Sequence, residues 1–259
     1  KPPAPMTMCT VFPAQQIIHA IWEALGTADP SRACAGWGMN AYPLSSAVGY
    51  DGRVSTMYHW AGASGGGAVD GRDGFPQVGP LCAFGALILP NAEMSEQLYP
   101  VRVRRQELRM DGAGAGKFRG GSGAHYVADI MLPSEIAFRA EAVKKAWAYG
   151  TNGGDIGTTS TVTLTPADGE TYDAPTYGVI DIEPSRLDVI SGGGGGWGDP
   201  LDRDPEWVLR DVFDEIISVG SARDTYGVVL DAAGTAIDAG RTEDWRRALR
   251  DARQEEFTG

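Results

Sequence analysis

Cysteine and histidine are scarce in this chain, with three of each among 259 residues. Cys9, Cys34 and Cys82 are too widely spaced for a zinc motif or a disulfide framework. None of His19, His59 and His125 has a second histidine within a helical turn or a strand pair, so no local metal site is expected. Basic residues are outnumbered, 22 Lys and Arg against 34 Asp and Glu, for a net charge of −12. That balance argues against nucleic acid or an anionic membrane as the main partner. No apolar run approaches the ~18 residues that a membrane-spanning helix needs. The opening KPPAPMT carries no signal-peptide pattern, which leads us to expect a cytoplasmic location.

Glycine, by contrast, is abundant: 36 residues, half of them in three clusters over 62–74, 112–123 and 192–198. The third holds Gly192, Gly193, Gly194, Gly195 and Gly196 in a row, then Trp197, Gly198, Asp199 and Pro200. Each glycine loses more backbone freedom on folding than any other residue. Such a run is therefore either a slack linker or a place where backbones must pass very close together.

Taken in order, residues 1–10 read as a Pro-rich extended lead-in. Pro13 is a first-turn proline, and Ala14, Ile17, Ile18, Ile21, Trp22 and Leu25 follow at helical spacing with Gly26 as the stop. From 35 to 74 no period survives, and so long a structureless stretch suggests order of some kind other than helix or sheet. Strands are expected at 82–89, 99–110, 124–132, 135–143, 158–165, 177–182 and 187–190. Asn152-Gly153-Gly154 and Asp168-Gly169 supply turns. Asp204 and Pro205 then open a helix with Val208, Leu209, Val212, Phe213, Ile216 and Ile217 on one face. Ser221 is expected to cap a shorter turn of helix, 228–230 to form a short strand, and Thr242 to begin a last charged helix. The reading is a mainly β protein with α (α+β), residues 1–200 forming a Gly-rich β domain. Residues 201–259 form a helical tail packed on it.

Little in this pattern is a self-contained active site. Gly112, Gly114 and Gly116 precede Lys117 and Arg119, so the loop is either a tight structural turn or an anion site built from amides and two cations. No Ser or Thr follows the lysine and no helix follows the loop, which is not a nucleotide-binding pattern. The glycine run at 192 has no lysine beside it. Ser64 in GASGG resembles a nucleophile elbow only loosely, since no helix follows. Asp70 and Asp73 read as turn residues rather than an acid/base pair.

Two longer stretches carry a resemblance. YPVRVRRQELRMDGAGAGKFRGGSG, residues 99–123, and SGGGGGWGDPLDRDPEWVLRDVFDEIISVGSARDTYGVVLD, residues 191–231, are similar to signature segments of hydantoinase B/oxoprolinase-type subunits. The match is to the C-terminal half of such subunits, which are about twice as long as this chain. The resemblance implies barrel-like β-sheets running into a bundle of polyproline II-like segments, with Gly192 to Gly196, Gly198, Asp199 and Pro200 as a structural signature. It also implies a place in a multi-subunit ATP-dependent hydantoinase, 5-oxoprolinase, lactamase or ketone carboxylase acting on a small carbonyl compound, with a purely structural assembly subunit of such a complex as the alternative. The expected partners are an N-terminal-half hydantoinase B-type subunit and an actin-like-ATPase-type hydantoinase A subunit. ATP and Mg would sit on that ATPase subunit, a divalent metal on the N-terminal half, and no cofactor on this chain. Asn91-Ala92-Glu93 and Gly112-Ala113-Gly114 depart from the hydantoinase pattern, which leans the reading towards ketone carboxylation, with Lys117 and Arg119 as possible anion or substrate contacts.

Overall fold

The computed structural model describes residues 11–39, 41, 43–79, 81 and 88–258. The lead-in over 1–10 and most of the strand expected at 82–89 lie outside them. Five helices and nine strands are present among the described residues: α1 (Val11–Ala28), β1 (Leu44–Val48), β2 (Val54–Tyr58), α2 (Ala92–Leu98), β3 (Val101–Leu108), β4 (Ala124–Ile130), β5 (Ser134–Arg139), β6 (Thr161–Pro166), β7 (Tyr172–Asp173), β8 (Tyr177–Ile182), β9 (Ser185–Ile190), α3 (Pro205–Phe213), α4 (Val219–Asp224) and α5 (Ala239–Thr258).

The strands form two open antiparallel sheets, ordered β2-β1-β5-β8 and β3-β4-β9-β6-β7. The chain steps from one sheet to the other five times, between β2 and β3, β4 and β5, β5 and β6, β7 and β8, and β8 and β9. Alternation places Tyr126, Ala128, Ile130, Leu164, Leu187 and Val189 of the larger sheet against Ile136, Phe138 and Ile182 of the smaller one, in a shared core. His59, fully buried between them, bonds the Ser45 hydroxyl at 2.9 Å through Nε2 and the Tyr126 hydroxyl at 3.0 Å through Nδ1. Burial lowers its pKa from 6.5 to about 4.

The stretch without sequence period divides in two. Residues 44–58 are the β1–β2 hairpin, which the sequence reading missed, whereas 59–74 are bonded mainly outside helix and sheet. They belong to a bundle of extended segments whose centre is the glycine run, buried from Ser191 through Gly198. None of the five consecutive glycines is at positive φ, so handedness is not what requires them. Space is. A Cβ on any of the five would fall closer than 3.0 Å to a neighbouring backbone. The neighbours repeat every third residue: Gly192 and Gly195 face Thr158 and Tyr149, Gly193 and Gly196 face Gly112 and Ala115, and Gly194 faces Gly66. Three residues per turn is the polyproline II repeat, and it turns successive residues towards three different segments.

Such segments bond outwards. Gly194, Gly195, Gly196, Trp197 and Gly198 N–H donate to the carbonyls of Gly121, Gly36, Asp155, Phe118 and Thr151 at 2.8–3.0 Å. Gly192 and Gly193 N–H donate to the hydroxyls of Ser160 and Thr158. Buried backbone polar groups must be paired, and here the pairing links the run to three stretches distant in sequence, at residue 36, 118–121 and 151–160. The run is close backbone packing, and the slack-linker alternative falls.

The first and last helices differ from expectation. α1 continues through Gly26 to Ala28, because a bare Cα there lets Ala33 approach: an added Cβ would meet the Ala33 Cβ at 2.9 Å. Its packed side carries Gln15 and His19, while Ile17, Ile21 and Leu25 face outwards. The direction is fixed by Gln15 Nε2 donating to Gly38 O, Trp37 N–H donating to His19 Nε2 and Tyr149 O–H donating to His19 O. In the tail, Asp204 Oδ1 caps α3 as expected, but Phe213 points outwards and Ser218, not Ser221, caps α4. Residues 228–230 make one bridge, Leu230 to Ile237, rather than a strand. α5 starts at Ala239, three residues before Thr242, whose buried Oγ1 accepts the Val229 N–H.

Gly194→Ala is expected to destabilise the protein by about 3 kcal/mol or more, since the new methyl meets the Gly66 carbonyl group and the Gly67 nitrogen. Gly220→Ala, where the nearest atom is the Ser218 Oγ at 3.6 Å, is expected to raise stability by up to about 1 kcal/mol. Urea unfolding of the two variants checks both. Because the folded His59 titrates below its unfolded value, its contribution is complete above pH 6.5 and falls away towards pH 4. Stability should drop by about 1 kcal/mol per pH unit across that window, and His59→Gln should flatten the slope measured by thermal melts.

Candidate functional site

The loop holding Lys117 and Arg119 runs along the glycine centre. A phosphate cradle would need its amides free. Instead Gly114 N–H donates to Gly194 O, Lys117 N–H to Gly198 O, Phe118 N–H to Trp197 O and Gly120 N–H to Gly114 O, all within 3.0 Å. Of the two alternatives, the backbone forms the tight structural turn. The two cations also part company. Lys117 is exposed, with its ammonium 5.6 Å from the Phe118 ring centroid, whereas Arg119 is buried.

Arg119 belongs to a four-residue charge cage. Its Nε and Nη2 donate to Asp211 Oδ2 and Oδ1, both at 3.0 Å, a bidentate pair. Arg203, 1% exposed, donates from Nη1 and Nη2 to the two oxygens of Asp73 at 2.8 Å, and from Nη2 to Asp211 Oδ2 at 2.7 Å. Asp73 Oδ1 also accepts the Arg119 backbone N–H at 2.9 Å, and Lys117 O accepts from Arg203 Nη1 at 3.1 Å. The Arg203 guanidinium lies 5.5 Å from the Trp207 ring centroid and 6.0 Å from that of Tyr226. Burial alone would lower the Arg203 pKa. The hydrogen bonds and charge of Asp73, joined by the charge of Asp211, outweigh burial and hold it above its ordinary value. Burial also pushes the Tyr226 phenol upwards.

The cage lines a cleft of about 350 Å³ whose rim carries Arg72 and Arg210. Two guanidinium groups face two carboxylates, so an incoming anion would have to displace Asp73 or Asp211. The chemistry is that of a clamp joining the tail to the glycine bundle. Of its members the sequence reading had singled out Arg119 as a contact and Asp73 as a turn residue; Arg203 and Asp211 were missed. The signal for Asp211 was present: it lies one turn after the buried Val208, a carboxylate on the buried side of α3.

The remaining candidates stand apart. Ser64 is fully buried within the bundle, and Asp70 sits in an exposed turn. His19 is buried beside Trp37, and burial lowers its pKa to about 4. His125 lies on the open face of the larger sheet between Arg105 and Asp188. The Arg105 guanidinium donates to Nδ1, which leaves the ring proton on Nε2 towards Asp188. Among the described residues no group of three His, Cys, Asp or Glu is placed to hold a metal ion.

Residues 1–200 match the family model described as hydantoinase B/oxoprolinase. The caprolactamase subunit beta of Pseudomonas jessenii is 35% identical over 252 residues, spanning 92% of this chain and 42% of that subunit. The crystal structure of the ATP-dependent caprolactamase from the same organism superposes with a TM-score of 0.82 at 30% identity, over 95% of this chain and 44% of that one. The acetophenone carboxylase delta subunit of Aromatoleum aromaticum is 27% identical over 97% of this chain and 42% of its own length. The chain thus spans about two fifths of the length of these relatives.

Removing the clamp's shared carboxylate should be costly. Asp211→Asn removes the bidentate carboxylate of Arg119 and leaves Asp73 to balance two buried guanidinium groups, a loss of about 3–5 kcal/mol. Asp214→Asn removes only the exposed Arg210 partner at 3.7 Å and should cost under about 1 kcal/mol. Chemical denaturation of the two variants, measured side by side, checks the contrast.

Proposed function

The chain belongs to the hydantoinase B/oxoprolinase family, and on that footing we propose that it serves an ATP-dependent multi-subunit enzyme that opens a cyclic amide. The observation that carries this reading is its 35% identity to the caprolactamase subunit across 92% of the chain, together with the 0.82 TM-score. The 27% identity to the acetophenone carboxylase subunit supports ketone carboxylation less strongly. The two loops that leaned the sequence reading towards carboxylation have local structural tasks. Asn91 Oδ1 caps α2 by accepting the Glu93 N–H at 2.8 Å. Gly112 packs where a Cβ would strike the Ser122 hydroxyl and Arg109.

In this reading the chain contributes a rigid wall to an active site completed by other polypeptide. Its partners are the remaining part of a hydantoinase B-type subunit, carrying a divalent metal, and an actin-like-ATPase-type hydantoinase A subunit, carrying ATP and Mg. The glycine bundle suits such a role, because its segments bond to one another and leave little backbone able to shift. The clamp fastens the tail to that wall.

The test is turnover by the native complex purified through a tag on this chain. ATP hydrolysis is expected to rise on adding a lactam or hydantoin, and not on adding ketone with bicarbonate. Stimulation by ketone and bicarbonate alone would replace the reading with the carboxylase one. The chain purified by itself is expected to hydrolyse neither ATP nor lactam.

A further inference from the structure

α1 is built unlike any other exposed element of this chain. Across its 18 residues, VFPAQQIIHAIWEALGTA, the one charged side chain is Glu23. α5, of similar length and also lying outside, is studded with Arg, Asp and Glu. On α1 the large aliphatics Ile17, Ile21 and Leu25, spaced four residues apart, are 60%, 54% and 56% exposed. Residues four apart lie on one face of a helix, so the three form a continuous apolar ridge. A helix apolar on the side away from its own core is one whose second side is covered by something else.

The inner side of the same helix is polar. Among the described residues, Gln15 Oε1 and Glu141 Oε2 are buried there and accept no hydrogen bond. Both residues use their other polar atom at α1: Gln15 Nε2 donates to Gly38 O, and Glu141 Oε1 accepts from Gln16 Nε2 at 3.3 Å. Buried acceptors without donors are destabilising. The occupant of the outward side therefore presents an apolar face to Ile17, Ile21 and Leu25.

What lies there follows from length. The caprolactamase subunit and the crystallised caprolactamase chain have more than half of their residues outside the region this chain matches. A body of polypeptide that large must pack against this fold. A second copy of this chain is disfavoured because each copy carries a net charge of −12. We propose that the outward side of α1 is the docking surface for the part of a hydantoinase B-type polypeptide that this chain does not contain, with Ile17, Ile21 and Leu25 buried beneath it. This rests on the preceding reading that such a polypeptide works with this chain.

The test places p-benzoylphenylalanine at position 21 of the tagged full chain in its native cells, with irradiation of the assembled complex and identification of the adduct by mass spectrometry. The expected adduct joins position 21 to a hydantoinase B-type sequence absent from this chain. An adduct to a second copy, an adduct to residues 1–10 of the same chain, or none at all overturns the proposal. In parallel, Ile21→Glu should leave the melting temperature of the isolated chain within about 2 °C, as a surface change does. It should lower recovery of the hydantoinase B-type partner at least about tenfold, and unchanged recovery would overturn the proposal too. Lactam-stimulated ATP hydrolysis by the wild-type complex is scored separately. If stimulation stands while the adduct goes elsewhere, the docking surface alone is wrong; if the adduct is as expected without stimulation, the lactam reading alone is wrong.

Discussion

The close approach of backbones along residues 192–198 is the constraint on which the rest of this structure depends. A segment with no hydrogen bonds of its own must find partners in its neighbours, and a neighbour can come near enough only where no Cβ intervenes. The five glycines meet both conditions at once. Each turns its bare Cα towards a backbone that a methyl group would strike, and each N–H is taken by another segment or by the hydroxyls of Ser160 and Thr158. The smaller sheet feeds chain into this bundle after β2 and the larger sheet after β9, so the sandwich and the bundle form one continuous body.

The tail is held to that body by charge as well as by apolar packing. Ala115 of the bundle contributes to the small core formed with Val208, Ile217, Ala222, Tyr226, Val228 and Leu230. Beside it the Arg119, Arg203, Asp73 and Asp211 cage spans three parts of the chain, with guanidinium groups on two of them. Buried ion pairs are weak sources of stability but stringent about geometry. The cage therefore serves chiefly to fix where the tail sits.

Much of this was legible in the residues. Strands with apolar alternation, such as Tyr177–Ile182, were read with their bounds correct, and the clustering of glycine pointed to packed extended segments. What could not be read shares a physical cause: the apolar pattern is inverted. In β1 the buried positions are Ser45 and Ala47 while Leu44 and Val48 face outwards more. In α1 Gln15 and His19 are inside and Ile17 and Ile21 outside. In α3 Asp211 is buried and Phe213 is exposed. Hydrophobic periodicity reports which side is apolar, and only contacts made elsewhere decide which side is in. The clamp was illegible for a related reason, since its charges come from positions 73, 119, 203 and 211, which no local spacing connects.

The bundle also has a temporal consequence. Residue 195 bonds to residue 36, residue 194 to residue 121 and residue 196 to residue 155, so its centre joins chain that is far apart in sequence. Contacts of that kind bear the loop-closure entropy before they return any stabilisation, which makes folding slow. A ribosome delivers residue 36 long before residue 195. Until the glycine run emerges, the segments it will unite have amides with no protein partner and must keep them hydrated. The glycine run thus acts as the closing member of the bundle, and the segments around residues 36, 121 and 155 become one cooperative unit only once residues 192–198 have been made.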